Sequence, residues 1–481
     1  MRKRLSLFAL VLALALVAAA CSSSDDTTTT VAGATETTVA GATETTVASA
    51  TETTAAAATD TTVASDAGGE MKTDFGVDMD SKTISIGYLS DLTGLFAPLV
   101  VDIQDAQSAF WEDVNANGGL DGWSVELIIE DTNYNVEQHI EKYEKIRNEV
   151  LALGQSTGSP TNVATLPKYQ EDTMVFLPIS WYSGWAIPDF DGGLAMEQYT
   201  NYCIEAMNVL GFAQEMGATK IALATFPGDY GQDGAAGVKK AVEFYDTLEL
   251  VYDGEAAVIP GQDQTEVVTG IVESGADWTY LVTNPSTAAE IMGGSAQSGY
   301  VGAWTGATPS YDFRLLDSPV APIIDASYYQ SGYNVTWGTD VPGAADMTAV
   351  LTAAYPDRRP SDAFAIGWSY SLALKAALEA AIASGDLTRA GFAAAVNSLT
   401  GVDFGGLAPA QSYAGTPNEY VQRQSAIYKP SLEEYTAAGG IEQTLSQDGG
   451  GSTGSTQSPT DGFFTSDAAA AYDFSAACYE L

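Results

Sequence analysis

The chain has 481 residues, of which 62 are acidic, 19 basic and one is histidine, giving a formal charge of −43. An anion this strong is repelled by nucleic acid and by anionic membrane surfaces, so neither is an expected binding partner. One histidine and three cysteines supply too few ligands for a His/Cys metal centre, and no metal or other cofactor is expected.

Residues 1–21 read as an export signal, with Arg2, Lys3 and Arg4 ahead of an apolar run over 5–20. That run is short for a membrane span. Ala18, Ala19 and Ala20 directly before Cys21 resemble a bacterial lipoprotein signal, in which the cysteine is lipidated and becomes the new N-terminus. Ala18 stands where that pattern usually has Leu. Removal of the signal leaves a net charge of −46.

Residues 22–82 are expected to be a disordered Thr/Ala-rich linker. Up to about Gly69 they carry an eight-residue repeat, TTVAGATE, TTVAGATE, TTVASATE. A repeat this polar cannot bury enough surface to offset chain entropy, and it has no face to stack as a solenoid.

From Thr83 to about Pro409 apolar strands alternate with amphipathic helices. TISIGYL, a helix ending at Asn117-Gly118-Gly119, and VELIIED form a first βαβ unit. A helix follows with Val136, Ile140, Tyr143 and Ile146 at helical spacing, and His139 in it reads as a solvated surface residue. Then come VLALGQS, a helix over about 162–171, MVFLPIS, a helix ending at Gly217, KIALATF, a helix, ELVYDGEAAV, a helix, WTYLVTN, a helix and YVGAWTG. A long helix spans about 362–384 and another covers TRAGFAAAVNSL. The pattern predicts an α/β protein with parallel sheets covered by helices on both faces. The strand–helix pairs outnumber what one small sheet holds, so two lobes are expected. Beyond them, RQSAIYKPSLEEY offers one late strand, 448–462 reads as a flexible loop, and the apolar tail AAAAYDFSAACYEL is suited to docking on the core. Cys203 and Cys478 are candidates for a disulfide in an exported protein.

Catalytic motifs are missing. The chain has no G-x-x-x-x-G-K-[ST] loop, the turn DLTGLFAP is not G-x-G-x-x-G, and nothing places His139 beside a nucleophile. A βαβ frame without such residues points to binding rather than chemistry.

Five stretches in order, IGYLSDLTGLFA, AFWEDVNANGGLDGWSVELIIEDT, STGSPTNVATLPKYQEDTMVFLPIS, KIALATFPGDYGQDGAAGVKKAVE and the segment from FAIGWSYSL to GVDFGGLAP, resemble a known family. It is that of the ABC-transporter substrate-binding proteins of the Leu/Ile/Val type. The resemblance implies the type I periplasmic-binding fold: two Rossmann-like lobes, three crossovers and a ligand cleft between the lobes. Residues 83–200 and 325–410 would form lobe 1, 201–324 lobe 2, and 411–481 a segment closing lobe 2. It further implies a monomeric, extracytoplasmic, lipid-anchored protein that captures a small-molecule solute and delivers it to ABC permease subunits in the membrane. A sensory receptor module of the same fold is the alternative.

Carried over residue by residue, the resemblance implies that Ser159 and Thr161 in the loop 158–161, with Ser180, Trp181 and Tyr182 after the next strand, hold a ligand carboxylate. Tyr230 would face the ligand from the second lobe. Asn284 and Thr287 occupy the loop where amino-acid binders carry an acid for the ammonium group, and Leu99 the place of a usual aromatic residue. The missing acid points to a neutral or anionic ligand. Tyr329, with Trp304, Tyr328 and Tyr333, is a further candidate for an apolar pocket wall.

Overall fold

A computed structural model describes residues 70–481. The export signal, the Cys21 lipidation site and nearly all of the repeat-bearing linker lie outside the described residues.

The first sheet is built from the parallel strands β1 (Thr83–Ser90), β2 (Ser124–Asp131), β3 (Ala152–Thr157) and β4 (Phe176–Ile179), in the order β2-β1-β3-β4. A short antiparallel pairing at Val77–Asp78 extends it beside β1. Helices α1 (Ala97–Ala116), α2 (Val136–Ile146) and α3 (Ser159–Asp172) make the connections. Near-continuous apolar runs such as Ile84, Ile86, Tyr88 and Leu89, all fully buried, suit strands covered on both faces.

The chain then crosses through α4 (Tyr202–Glu215) into a second, seven-stranded sheet. Its strands are β5 (Lys220–Thr225), β6 (Glu249–Gly254), β7 (Trp278–Val282), β8 (Ala303–Gly306), β9 (Tyr328–Gly332), β10 (Ser425–Tyr428) and β11 (Phe463–Phe464), in the order β11-β10-β9-β8-β7-β5-β6. Strands β5 to β9 are mutually parallel, whereas β10 and β11 are antiparallel additions. Helices α5 (Asp229–Phe244), α6 (Thr265–Ser274) and α7 (Pro285–Gln297) connect its parallel strands. Between β9 and β10 the chain returns to the first lobe as α8 (Pro342–Ala354), α9 (Ala363–Ser384) and α10 (Arg389–Val396), with α9 packed along α1. The three crossovers lie side by side: Thr200 pairs with Gln422, and the Val335 amide donates to the Leu407 carbonyl.

Four expectations change. The expected linker ends before residue 82, because Lys72 and Thr73 pair with Asp386 and Leu387, and Val77 and Asp78 pair with Ile84 and Thr83. The boundary at 324/325 falls too early, because β9 pairs with β8 and β10 and belongs to the second sheet; the return begins after Gly332. His139 is fully buried rather than solvated, since it shares a helix face with Tyr143 and Ile146. Its Nε2 meets the Tyr169 hydroxyl at 3.0 Å and Ser156 Oγ at 3.1 Å, and burial lowers its pKa to about 3. The stretch 448–462 is held in place rather than free. Thr453 and Ser455 are fully buried, Trp337 Nε1 donates to the Gly450 carbonyl at 2.8 Å, and Thr336 Oγ1 donates to the Ser455 carbonyl at 2.7 Å. Its glycines and small hydroxyls allow the close backbone approach that these bonds need.

Cys203, at the start of α4, is joined to Cys478 in the C-terminal tail. That tail docks on both lobes. Ser466 Oγ donates to the Met207 carbonyl in the second lobe, while the Cys478 amide donates to Ser183 Oγ and Tyr182 Oη to the Tyr479 carbonyl in the first.

Candidate ligand-binding cleft

A cavity opens between the lobes where the parallel strands of both sheets end. Phe96 and Tyr134 reach it from the turns after β1 and β2, Thr157 to Ser159 from the end of β3, and Ile179 and Trp181 from the end of β4. From the other side come Tyr230 at the start of α5, Thr308 to Phe313 after β8, and Gln330 and Gly332 on β9. Carboxyl ends of strands in an open α/β sheet are where ligands bind, because loops and helix N-termini converge there. Side chains from α1 (Leu99, Val100, Ile103) and α9 (Ala363, Ile366) make the adjoining wall apolar.

The polar end of the cavity is the N-terminus of α3. Gly158 caps it with φ of 100°, and no side chain caps the helix. A Cβ at Gly158 would come within 2.7 Å of the Tyr134 ring, so both the backbone conformation and the close approach require glycine. Pro160 has no N–H, and the Ser159 and Thr161 amides find no backbone acceptor among the described residues. The helix end therefore offers free donors and a positive dipole end to an anionic or carbonyl group. Trp185 Nε1 donates to Ser180 Oγ at 2.9 Å, and Ser180 Oγ lies 2.6 Å from Ser159 Oγ. With Trp185 occupying one acceptor position, Ser180 can donate to Ser159, which leaves the Ser159 proton for a ligand. Burial raises the pKa values of Tyr134, Tyr202 and Tyr230 and keeps these phenols as donors.

Two acids reach the wall, and internal donors occupy both. Asp312 accepts from the Arg314 amide at 2.8 Å and from its guanidinium at 2.8 Å; burial pushes its pKa up to about 6. Asp362 accepts from the Trp337 amide and Thr453 Oγ1, each at 2.8 Å, and from Gln330 Nε2 at 3.3 Å. Neither Lys nor Arg lines the cavity. Trp181 Nε1 and Gln330 Oε1 have no partner among the described residues.

Of the residues singled out from the sequence, the structure brings Ser159, Trp181 and Tyr230 to the wall. Ser180 stands one hydrogen bond behind Ser159, and Thr161 Oγ1 turns back to the Gly158 carbonyl at 2.9 Å. Tyr182 packs on Trp185 and the tail, away from the cavity. Asn284 caps α7 by accepting from the Thr287 amide, and neither residue lines the cleft. Tyr329 stacks on Trp278 inside the second lobe, with ring planes 15° apart. Leu99 does reach the wall, but the aromatic group there is Phe96, three residues earlier. Phe96, Tyr134, Tyr202, Tyr311 and Phe313 escape sequence reading. The usable signal was position just after a strand's carboxyl end, as in EDTNYN and TGATPSYDF.

The lobes meet outside the cavity as well. Asp102 on α1, buried at 2 % exposure, receives Arg314 from the second lobe at 2.6 Å and Arg358 at 3.0 Å. Among the described residues no helix is long and apolar enough to cross a membrane, and no group of three or more His, Cys, Asp or Glu is arranged to hold a metal ion.

Two Rossmann-like lobes, three crossovers and an interlobe cleft define a type I two-lobed binding protein. A family model described as periplasmic binding protein matches residues 83–429, and the chain belongs to that family. Solved structures with the same fold include a fatty acid ABC transporter substrate-binding protein from Thermomonospora curvata. It has 24% identity, covers 84% of this chain and 97% of that chain, and gives a TM-score of 0.73. A branched chain amino acid ABC transporter from Thermus thermophilus with bound valine has 16% identity, coverage of 82% and 98%, and a TM-score of 0.65. A solute-binding protein of an ABC transporter from R. palustris in complex with 4-hydroxybenzoate has 15% identity, coverage of 73% and 93%, and a TM-score of 0.61. Among curated proteins none matches the chain.

Proposed function

We propose that this protein is a lipid-anchored, monomeric, extracytoplasmic binding protein that captures a small organic acid or amide with an apolar body and delivers it to an ABC permease. The observation carrying this reading is the composition of the cleft: aliphatic and aromatic walls with no Lys or Arg, ending at an uncapped α3 N-terminus. Helix dipole, free amides and the Ser159 hydroxyl suit a carboxylate or amide oxygen. An α-amino acid would also bring an ammonium group, and the acids on the wall already serve Arg314, Trp337 and Thr453. Leaving that ammonium without a partner costs several kcal/mol, roughly. The fatty acid and 4-hydroxybenzoate named for two of the structural relatives agree with an apolar body carrying a carboxylate. Closure of the lobes around the solute would shift the population toward the form a permease engages.

The test is isothermal titration of residues 70–481 with medium-chain fatty acids, hydroxybenzoates, their amides, and leucine and valine. Saturable binding of the acids or amides with weaker or no binding of the amino acids is expected. Tight leucine binding with no response to acids would overturn the ligand class.

A further inference from the structure

The turn that opens α3 is held from behind by a polar cluster. Asn162 and Tyr169, two turns apart on α3, share its buried face, and His139 meets Tyr169 from α2. With Ser156 and Thr161 they are fully buried. Asn162 Nδ2 donates to the Ser156 and Gly158 carbonyls, each at 2.8 Å. That fixes the side-chain amide and leaves Oδ1 to accept from Ser156 Oγ. With its proton on Asn162, the Ser156 oxygen accepts from the Tyr169 hydroxyl at 3.0 Å and the His139 ring at 3.1 Å. His139 Nδ1 has no partner among the described residues, so the ring acts through Nε2. Burial keeps the imidazole neutral, and no charge enters the cluster.

These bonds converge on one peptide unit. The Gly158 carbonyl accepts from Asn162 Nδ2, from Thr161 Oγ1 at 2.9 Å and from the Asn162 amide at 3.2 Å. The Gly158 amide donates to the Ile179 carbonyl at 3.0 Å. In a planar trans peptide the N–H points opposite to the carbonyl of the same unit. Three donors hold the Gly158 oxygen toward the helix, so the Ser159 N–H is turned out of the helix end, toward the cavity that both residues line. Without the two side chains the carbonyl would keep only its backbone bond, and a glycine at φ of 100° has other conformations within reach.

We infer that Asn162 and Thr161 are positioning residues for ligand capture, which rests on the cleft function proposed above. They lock the Gly158 peptide so that the Ser159 N–H meets the ligand, while His139 and Tyr169 hold Asn162 in place through Ser156. None of Thr161, Asn162 and His139 lines the cavity, so their effect passes through the backbone.

The full chain is titrated calorimetrically with octanoate and 4-hydroxybenzoate, and a melting temperature and crystal structure are obtained for each variant. Asn162→Ala should weaken both acids about tenfold and rotate the Gly158 carbonyl. Thr161→Val, which removes the hydroxyl but keeps the shape, should weaken them roughly threefold or more. Thr161→Ser should recover most of that loss, and the Thr161 pair decides if Asn162→Ala does not fold. A purely structural role predicts lower melting temperatures with unchanged affinities, and that result would overturn the inference. Equal affinities in Thr161→Val and Thr161→Ser would do the same. If the unaltered chain binds neither acid, the proposed ligand class falls and the crystal structures decide the positioning role. A Gly158 peptide unmoved in the variants then overturns it, and a rotated one upholds it.

Discussion

Ser159 concentrates the chemistry of the cleft in one hydroxyl. It stands at the open end of α3, and where Ser180, which accepts from Trp185, donates to it, its own proton is left for a ligand. Hydrogen bonds to a charged group are worth about 1.5–3 kcal/mol. Ser159→Ala should therefore weaken a carboxylate ligand by roughly ten- to a hundredfold and the matching amide less, as titration of each ligand pair would reveal. Equal losses for acid and amide would mean that the hydroxyl does not meet the charged end. The residue itself was readable from the resemblance of STGSPTN to the family's ligand loop. Tyr134 was not, because nothing in NYN says that its ring closes over Gly158.

Among the elements, α1 carries the contact that joins the lobes. Asp102 receives Arg314 across the cleft, and Arg358 reinforces it. Asp102 is buried but both arginines are about one-third exposed, so solvent screens part of the interaction. Asp102→Asn should favour the open form by roughly 1–2 kcal/mol, reducing ligand affinity about tenfold while leaving each lobe folded. Small-angle scattering of the ligand-free variant would register the wider average separation; unchanged scattering and affinity would rule the latch out. The Cys203–Cys478 bond acts at the same scale, tying a tail that touches both lobes to the first crossover helix. Cys478→Ser should cost roughly 2–4 kcal/mol of stability, seen as a melting temperature lower by several degrees. An unchanged melting temperature would show that the tail docks without the bond.

Across the whole molecule, buried acids set the response to pH. Burial pushes Glu205 and Asp233 up to about 7, and Asp191, Asp229 and Asp312 up to about 6. Unfolded carboxyls titrate near 4. Between those values the folded chain holds more protons than the unfolded one, so stability falls as pH rises through the window. Surface carboxylates such as Asp386 and Glu419, held low by hydrogen bonds from Thr388 and Thr416, act in the opposite direction in more acid solution. Buried His139, lowered to about 3, opposes the acids up to its ordinary value near 6.5 but is one group against five. The melting temperature should therefore be highest near pH 4–5 and fall by roughly 5 °C or more toward pH 8. Calorimetry at constant ionic strength gives the profile, and a maximum at pH 7–8 would contradict this account. The excess of 62 acidic over 19 basic residues adds self-repulsion of the same sign.

The sequence by itself determined the alternation of strands and helices, and hence the two parallel sheets, because apolar runs and amphipathic periods are local properties of the chain. The family resemblance of its motifs also pointed to Ser159 and Tyr230, which the structure places on the cleft wall. Only the tertiary structure decided that β9 joins the second sheet, since YYQSG pairs with strands near 304 and 427 that no local pattern connects to it. Burial of His139 likewise depends on Tyr169 and Ser156, distant in sequence and adjacent only once α3 packs beside α2. The apolar wall of the cleft belongs to the same class. Leu99, Ile103, Phe313 and Ile366 come from four separated segments, and what they enclose exists only when the crossovers bring the two lobes face to face.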